Sequence, residues 1–146
     1  MGALIKITQT GMMDVQARLN GFIEKSVNLS VPMKQGAVMM LRSIQNNFDV
    51  SGRPKSWVPL APSTLKQKQR LGYSSKPLIR TGALRQSIAT KTDTRSLKVG
   101  TNIRYGKIHQ YGVFAGGKRT VRIPARPYLI FQSIDIERIN KLVTEH

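Results

Sequence analysis

The sequence contains no cysteine, which excludes disulfide bridges and thiolate metal sites. Acidic residues are scarce: 7 Asp and Glu stand against 24 Lys and Arg, a formal net charge of +17. Histidine is scarcer, with 2 in 146 residues, one of them the last, His146. So few acids and imidazoles leave little from which to build an acid–base pair or a carboxylate metal cage. Long apolar runs are missing as well. The longest, Ala37 to Leu41, is far below the roughly 18 residues that mark a membrane-spanning helix. The start, Met1-Gly2-Ala3-Leu4-Ile5-Lys6, lacks the apolar core of a secretory signal. Lys6 also stands where a myristoylation motif wants Ser or Thr. The expectation is a soluble protein, made and used without export, with no membrane partner.

What is present is a chain long enough for one domain, 1–146, with 40% apolar residues. A domain of this size buries roughly 68–70% of the surface of its unfolded chain. The positive charge is not spread evenly. Residues 1–50 carry 5 basic and 3 acidic side chains, residues 51–126 carry 17 basic and only Asp93, and residues 127–146 carry 2 basic and 3 acidic. The field therefore belongs to the middle of the chain and attracts polyanions or acidic protein surfaces. An ordinary solvated surface does not account for the near absence of acids over 51–126.

Periodicity outlines the elements. Met12, Val15, Leu19, Phe22 and Ile23 recur at helical spacing, predicting a helix over 11–27 with Thr10 as its cap. Met33, Ala37, Met40, Leu41, Ile44 and Phe48 predict a second over 32–48, with Pro32 in its first turn after Ser30 or Val31. Its methionines read as core packing rather than as a binding groove. Residues 49–62, with Ser51, Gly52, Pro54, Pro59 and Pro62, read as irregular and partly extended. This segment holds Trp57, the only tryptophan, suited either to the domain's own core or to a subunit contact. Pro62 to Leu71 reads as a short basic helix ended by Gly72, residues 72–80 as a loop, and Thr81 as the cap of a helix through Ile88. Alternation over 88–93 and 97–99 predicts a strand pair turning near 94–96. Residues 105–111 read as a short helix or turn, Gly116-Gly117 as a hairpin turn, 120–123 as a strand and 133–144 as a helix, with Asp135 and Glu137 in its first turn. The class is α+β: a small antiparallel sheet flanked by N-terminal and C-terminal helices, with long extended loops.

No catalytic constellation assembles from these residues, and no cofactor or metal is implied. Gly112 to Lys118 matches G-x-x-x-x-G-K, but Arg119 stands where a phosphate-binding loop needs Ser or Thr for magnesium. The segment also leads into a strand pattern, so it reads as a hairpin turn. His109 has no carboxylate or nucleophile near it in sequence and reads as a hydrogen-bonded structural residue. Direct, non-specific nucleic-acid binding by the basic 51–126 segment stays open, with Tyr73, Tyr105 and Tyr111 available for stacking. No recognised RNA- or DNA-binding pattern accompanies it.

Four stretches carry a resemblance: Trp57-x-Pro59-Leu60 followed by Thr64 and Lys68; Leu78-x-x-Thr81-Gly82-x-Leu84-Arg85-x-Ser87-Ile88; Gly100-Thr101-Asn102-x-x-Tyr105-x-x-Ile108-His109-Gln110-x-Gly112; and Ile123-Pro124-Ala125-Arg126-Pro127-Tyr128-Leu129. In this order and spacing they resemble the phage virion morphogenesis (tail-completion) family of Mu-like and P2-like phages. More distantly, they are similar to the tail-component and head–tail joining proteins of siphophages. Gly106 stands where the family pattern has Ala, and Ile130-Phe131 continues where Gly is expected.

The resemblance implies a non-enzymatic structural protein of the virion tail or neck, assembled in the bacterial host cytoplasm. It implies a homo-oligomeric ring, a hexamer by expectation, that completes the tail and joins it to the head. Neighbouring neck, connector, tail-tube or sheath proteins would be its partners, with transient contact to genomic DNA in the channel. The irregular 49–62 and 72–80 segments would serve as arms reaching neighbours. Trp57, Leu60, Thr81, Gly82, Arg85, Tyr105, His109, Gln110, Arg126 and Tyr128 are the candidate residues for fixing the fold or contacting neighbouring subunits. Thr81 and Gly82 would start a helix presenting Arg85, and Pro124 and Pro127 would hold Arg126 in place.

Overall fold

A computed structural model describes residues 3–10, 14–19, 28–118 and 120–146. The chain is α+β. Its elements are β1 (Ala3–Thr10), β2 (Asp14–Leu19), α1 (Ser30–Asp49), α2 (Pro62–Arg70), α3 (Ala83–Gln86), β3 (Ala89–Thr92), β4 (Ser96–Gly100), α4 (Arg104–Tyr111), β5 (Val113–Ala115), β6 (Val121–Ile123) and α5 (Ser133–Thr144). They gather into two compact units.

The first unit draws on Met1–Ser43, Ala89–Gly100 and Phe131–His146. It holds a four-stranded sheet in the order β2-β1-β4-β3. Two of the pairings are antiparallel, while β1 runs parallel to β4, so the sheet is mixed. The helix expected over 11–27 is overturned where the structure describes it, because residues 14–19 form β2. Val15, Ala17 and Leu19 also alternate with Asp14, Gln16 and Arg18, so the stretch carries period two as well as helical spacing. Pairing with β1, Ile5 opposite Ala17 and Ile7 opposite Val15, decides between them. Thr10, expected as that helix's cap, ends β1. The rest of the expected helix, 11–13 and 20–27, lies outside the described residues.

The β3–β4 hairpin follows its sequence pattern: Leu97 and Val99 are buried and Lys98 between them is exposed. Its turn is tied by Asp93, whose backbone N–H donates to Ser96 O and whose carboxylate accepts from Thr94 N. The expected methionine face of α1 packs as core, with Met33 and Met40 fully buried beside Leu97, Ile139 and Val143. A Cβ on Gly36 would reach ordinary contact, 3.4 Å from Ile139 and 3.5 Å from Leu97. Helix α1 starts at Ser30, whose N–H donates to Asn28 Oδ1 at 2.9 Å. Helix α5 begins with a capping box of Gln132 and Asp135, and the buried Asp135 also accepts from Ser43 Oγ.

The second unit comprises Ile44–Ile88 and Thr101–Ile130. Its core is Ile44, Phe48, Trp57, Leu84, Ile88, Tyr128 and Leu129. Helix α2 starts at Pro62 and closes with Gly72 at φ 72°. Gly72 N donates to Gln69 O and Tyr73 N to Lys68 O, the paired bonds of a Schellman stop that favours glycine at this position. Helix α3 is shorter than expected. It ends at Gln86, and Gly82 at φ 82° takes the cap position rather than Thr81. Thr81 Oγ1 accepts from Ala83 N at 3.4 Å. The strand expected over 120–123 is β6, Val121–Ile123, which pairs with β5 around the Gly116-Gly117 turn.

Candidate functional site

The four sequence stretches meet in the second unit, and hydrogen bonds to the backbone join them. Arg126 is the hub. Its backbone N–H donates to His109 O at 2.7 Å, its Nε to Val58 O at 2.8 Å and its Nη2 to Pro59 O at 3.0 Å. Carbonyls on an irregular segment need donors that cannot swing away, and the planar guanidinium supplies two in one fork. One residue along, Pro127 O accepts from the indole N–H of Trp57 at 2.9 Å. Trp57 is 6% exposed and packs edge-on against Phe48, with ring centroids 5.7 Å apart. Of the two readings open for Trp57, the structure shows the domain's own core. The 49–62 segment is therefore tied to its own unit.

Gln110 supports the following two residues from α4. Its Oε1 accepts from Tyr128 N and Leu129 N, both at 3.0 Å, while Nε2 donates to Leu129 O at 3.2 Å. From α1, Asn47 Nδ2 donates to Tyr128 O at 2.8 Å, and its Oδ1 accepts from Arg53 Nε at 2.9 Å. The Tyr128 ring is fully buried against Phe48. Burial, then Tyr105 and Tyr111, push its phenol well above the usual tyrosine range. The hydroxyl occupies the space where the residue at 106 would carry a side chain: a Cβ there would come 2.5 Å from Tyr128 Oη, 3.0 Å from Thr101 and 3.2 Å from Leu84. This accounts for glycine at 106.

Beside this network lies a groove of about 590 Å³. Leu60, Leu71, Leu78 and Leu84 give it aliphatic walls, Lys68, Arg80 and Arg126 give it cations, and His109 lies beside them. Thr81, Gly82 and Tyr105 also line it. Lys68 is buried and donates to Lys76 O at 2.7 Å and Ile79 O at 2.8 Å, which ties down the 72–80 loop. Burial lowers its pKa first, then Arg126 and Arg80. His109 is held below its ordinary 6.5 by burial and by Arg126, and its Nδ1 is buried without a partner. Burial likewise lowers the pKa of Arg126. Arg80 stacks over the Tyr73 ring at 4.9 Å, and Tyr105 meets the His109 ring edge-on at 5.8 Å.

The structure thus brings Trp57, Gln110, Arg126 and Tyr128 into one interior network. It places Leu60, Thr81, Gly82, Tyr105 and His109 at the groove. Arg85 stands apart from both, paired with Asp49 at 3.0 Å. Asn47 escaped the sequence reading, although a polar residue between Ile44 and Phe48 on a core face must find a buried partner. Arg80 and Leu71 carried no sequence signal beyond charge and hydropathy. Helix α4 turns Gly106 and Gln110 inward and leaves the groove-lining Tyr105 exposed, together with Ile108 and Tyr111 and, further along the chain, Val113, Phe114 and Val121. Among the described residues, no group of three or more His, Asp or Glu could hold a metal ion. No described helix is long and apolar enough to cross a membrane.

Comparison with known proteins gives two kinds of match. The model of the phage virion morphogenesis family matches residues 11–146. A Haemophilus influenzae protein named Mu-like prophage FluMu G protein 2 is 33% identical over 132 residues, covering 90% of this chain and 88% of the relative. An uncharacterised protein of Methanocaldococcus jannaschii is 32% identical over 91 residues, covering 60% of this chain and 62% of the relative. No solved structure matches.

Proposed function

The chain belongs to the phage virion morphogenesis family, and from that premise we propose that it completes the tail and joins it to the head as a homo-oligomeric ring. Its setting is the virion and its role is morphogenetic. The finer reading, a ring of this chain at the tail end or neck flanked by connector, tube or sheath proteins, rests on one observation. Trp57, Gln110 and Arg126 of the signature stretches are turned inward and spent on backbone carbonyls and amides, while residues 105–121 present Tyr105, Ile108, Tyr111, Val113, Phe114 and Val121 to solvent. Apolar side chains left outside favour subunit contact. No enzymatic role enters this reading.

A stop codon early in the gene tests it, with the lysate viewed by electron microscopy. Filled heads beside separate tails, irregular in length or unable to join, are the expected result. Normal joined particles overturn it.

A second reading, non-specific nucleic-acid binding, is favoured by the 17 basic residues against one acid over 51–126. Tight binding that obstructs DNA passage would be a defect in a channel protein, so purified protein is expected to bind duplex DNA weakly at about 150 mM salt. Tight, saturable binding there, with a steep salt slope, moves this second reading to the front.

A further inference from the structure

We propose that the groove walled by Leu60, Leu71, Leu78 and Leu84 docks an acidic, apolar-anchored peptide segment of another particle protein. Three observations lead to this occupant. The groove's volume of about 590 Å³ falls within the roughly 300–1,000 Å³ of ordinary ligand sites, and its walls are aliphatic, which suits a bulky apolar side chain. None of the residues lining it is acidic, while Lys68, Arg80 and Arg126 all do. Lys68 and Arg126 bond only to neutral carbonyl oxygens, so their charges stay uncompensated; burial, and then repulsion from Arg126 and Arg80, lower the Lys68 pKa. A carboxylate entering beside an apolar anchor relieves that repulsion. Finally, Leu71 and Arg80 line the groove and are exposed, so one apolar wall and one cation lie within an occupant's reach.

The same observations decide against the other classes of occupant. A nucleic acid needs free aromatic faces and outward cations. Here Arg80 already covers the Tyr73 ring, and the walls are aliphatic. A second copy of this chain carries +17 and would bring like charge to a cationic groove. The inference takes from the assembly reading only that the partner belongs to the particle, and the groove measurement below stands or falls without the particle experiment.

The test is fluorescence anisotropy on the purified full chain with three labelled probes. They are a short peptide with a Leu-Phe centre flanked by Asp and Glu, the same peptide with Asn and Gln in place of the acids, and a single-stranded oligonucleotide of equal length. The acidic peptide is expected to bind about tenfold or more tightly than its amide counterpart. Leu71→Asp changes an exposed wall residue, and Arg80→Glu an exposed cation; each should weaken the acidic peptide about tenfold or more. Lys98→Glu makes the same charge change at an exposed position of β4 in the first unit and should leave binding unaltered. Equal binding of the two peptides, no binding of either, equal loss with Lys98→Glu, or oligonucleotide binding that ignores Leu71→Asp each overturns the proposal.

Discussion

Replacing Gln110 by methionine removes the support of the 128–129 backbone while keeping a side chain of similar length and helix propensity. In the native protein that amide satisfies three buried backbone groups: the N–H of Tyr128, the N–H of Leu129 and the carbonyl of Leu129. Gln110 is 3% exposed and Tyr128 and Leu129 are fully buried, so water cannot reach in as a substitute. Leaving a buried donor or acceptor unsatisfied costs about 1–3 kcal/mol. Three such groups give a loss of about 3–9 kcal/mol, falling toward the lower figure if the 128–129 segment shifts to recover one bond. Native stability is only about 5–15 kcal/mol in all, so the variant should be partly unfolded at room temperature. Urea unfolding followed by Trp57 fluorescence measures it, since the indole reports on the same network through its bond to Pro127 O. Lys107→Met, at an exposed position on the same helix, is the control and should change stability by less than about 0.5 kcal/mol. A loss below about 1 kcal/mol for Gln110→Met would refute the view that this side chain organises the unit.

Two glycines on helices should respond in opposite directions to alanine. Gly106→Ala forces a methyl against Tyr128 Oη, Thr101 and Leu84 and should cost about 1–3 kcal/mol, with Tyr128→Phe in the same chain restoring part of the loss. Gly36→Ala meets its neighbours at ordinary contact distance and should gain about 0.5–1 kcal/mol from reduced unfolded-state freedom; thermal melts of both variants check the pair. Because His109 is held below its ordinary 6.5 in the folded chain, the unfolded chain takes up its proton first as pH falls. Stability from this group is therefore full above 6.5 and declines through the window below it, and His109→Gln should flatten that part of a urea-midpoint profile. A profile unchanged by the substitution would remove the assigned cause.

Much of the fold was legible because it depends on local rules. The α1 face from Met33 to Phe48, the Pro62 start and Gly72 stop of α2, the alternation of Leu97 and Val99, and the acidic first turn of α5 are each set by residues a few positions apart. The β2 stretch was not legible for the same kind of reason. Two periods overlap in it, and only the pairing with β1 selects one. Helix α3 shows the limit at finer scale, since a left-handed Gly82 displaces the expected Thr81 from the cap position.

The α+β class, the family and the placement of positive charge over 51–126 are carried by residue order and type alone. What the signature residues do depends instead on the folded packing. Arg126 meets its carbonyl partners 67 and 68 positions away, and Trp57 meets Pro127 at a separation of 70. Asn47 meets Tyr128 at a separation of 81. No local spacing encodes such contacts. They exist because buried carbonyls and amides on irregular segments must find donors and acceptors somewhere in the folded unit, and packing alone determines which side chains are within reach.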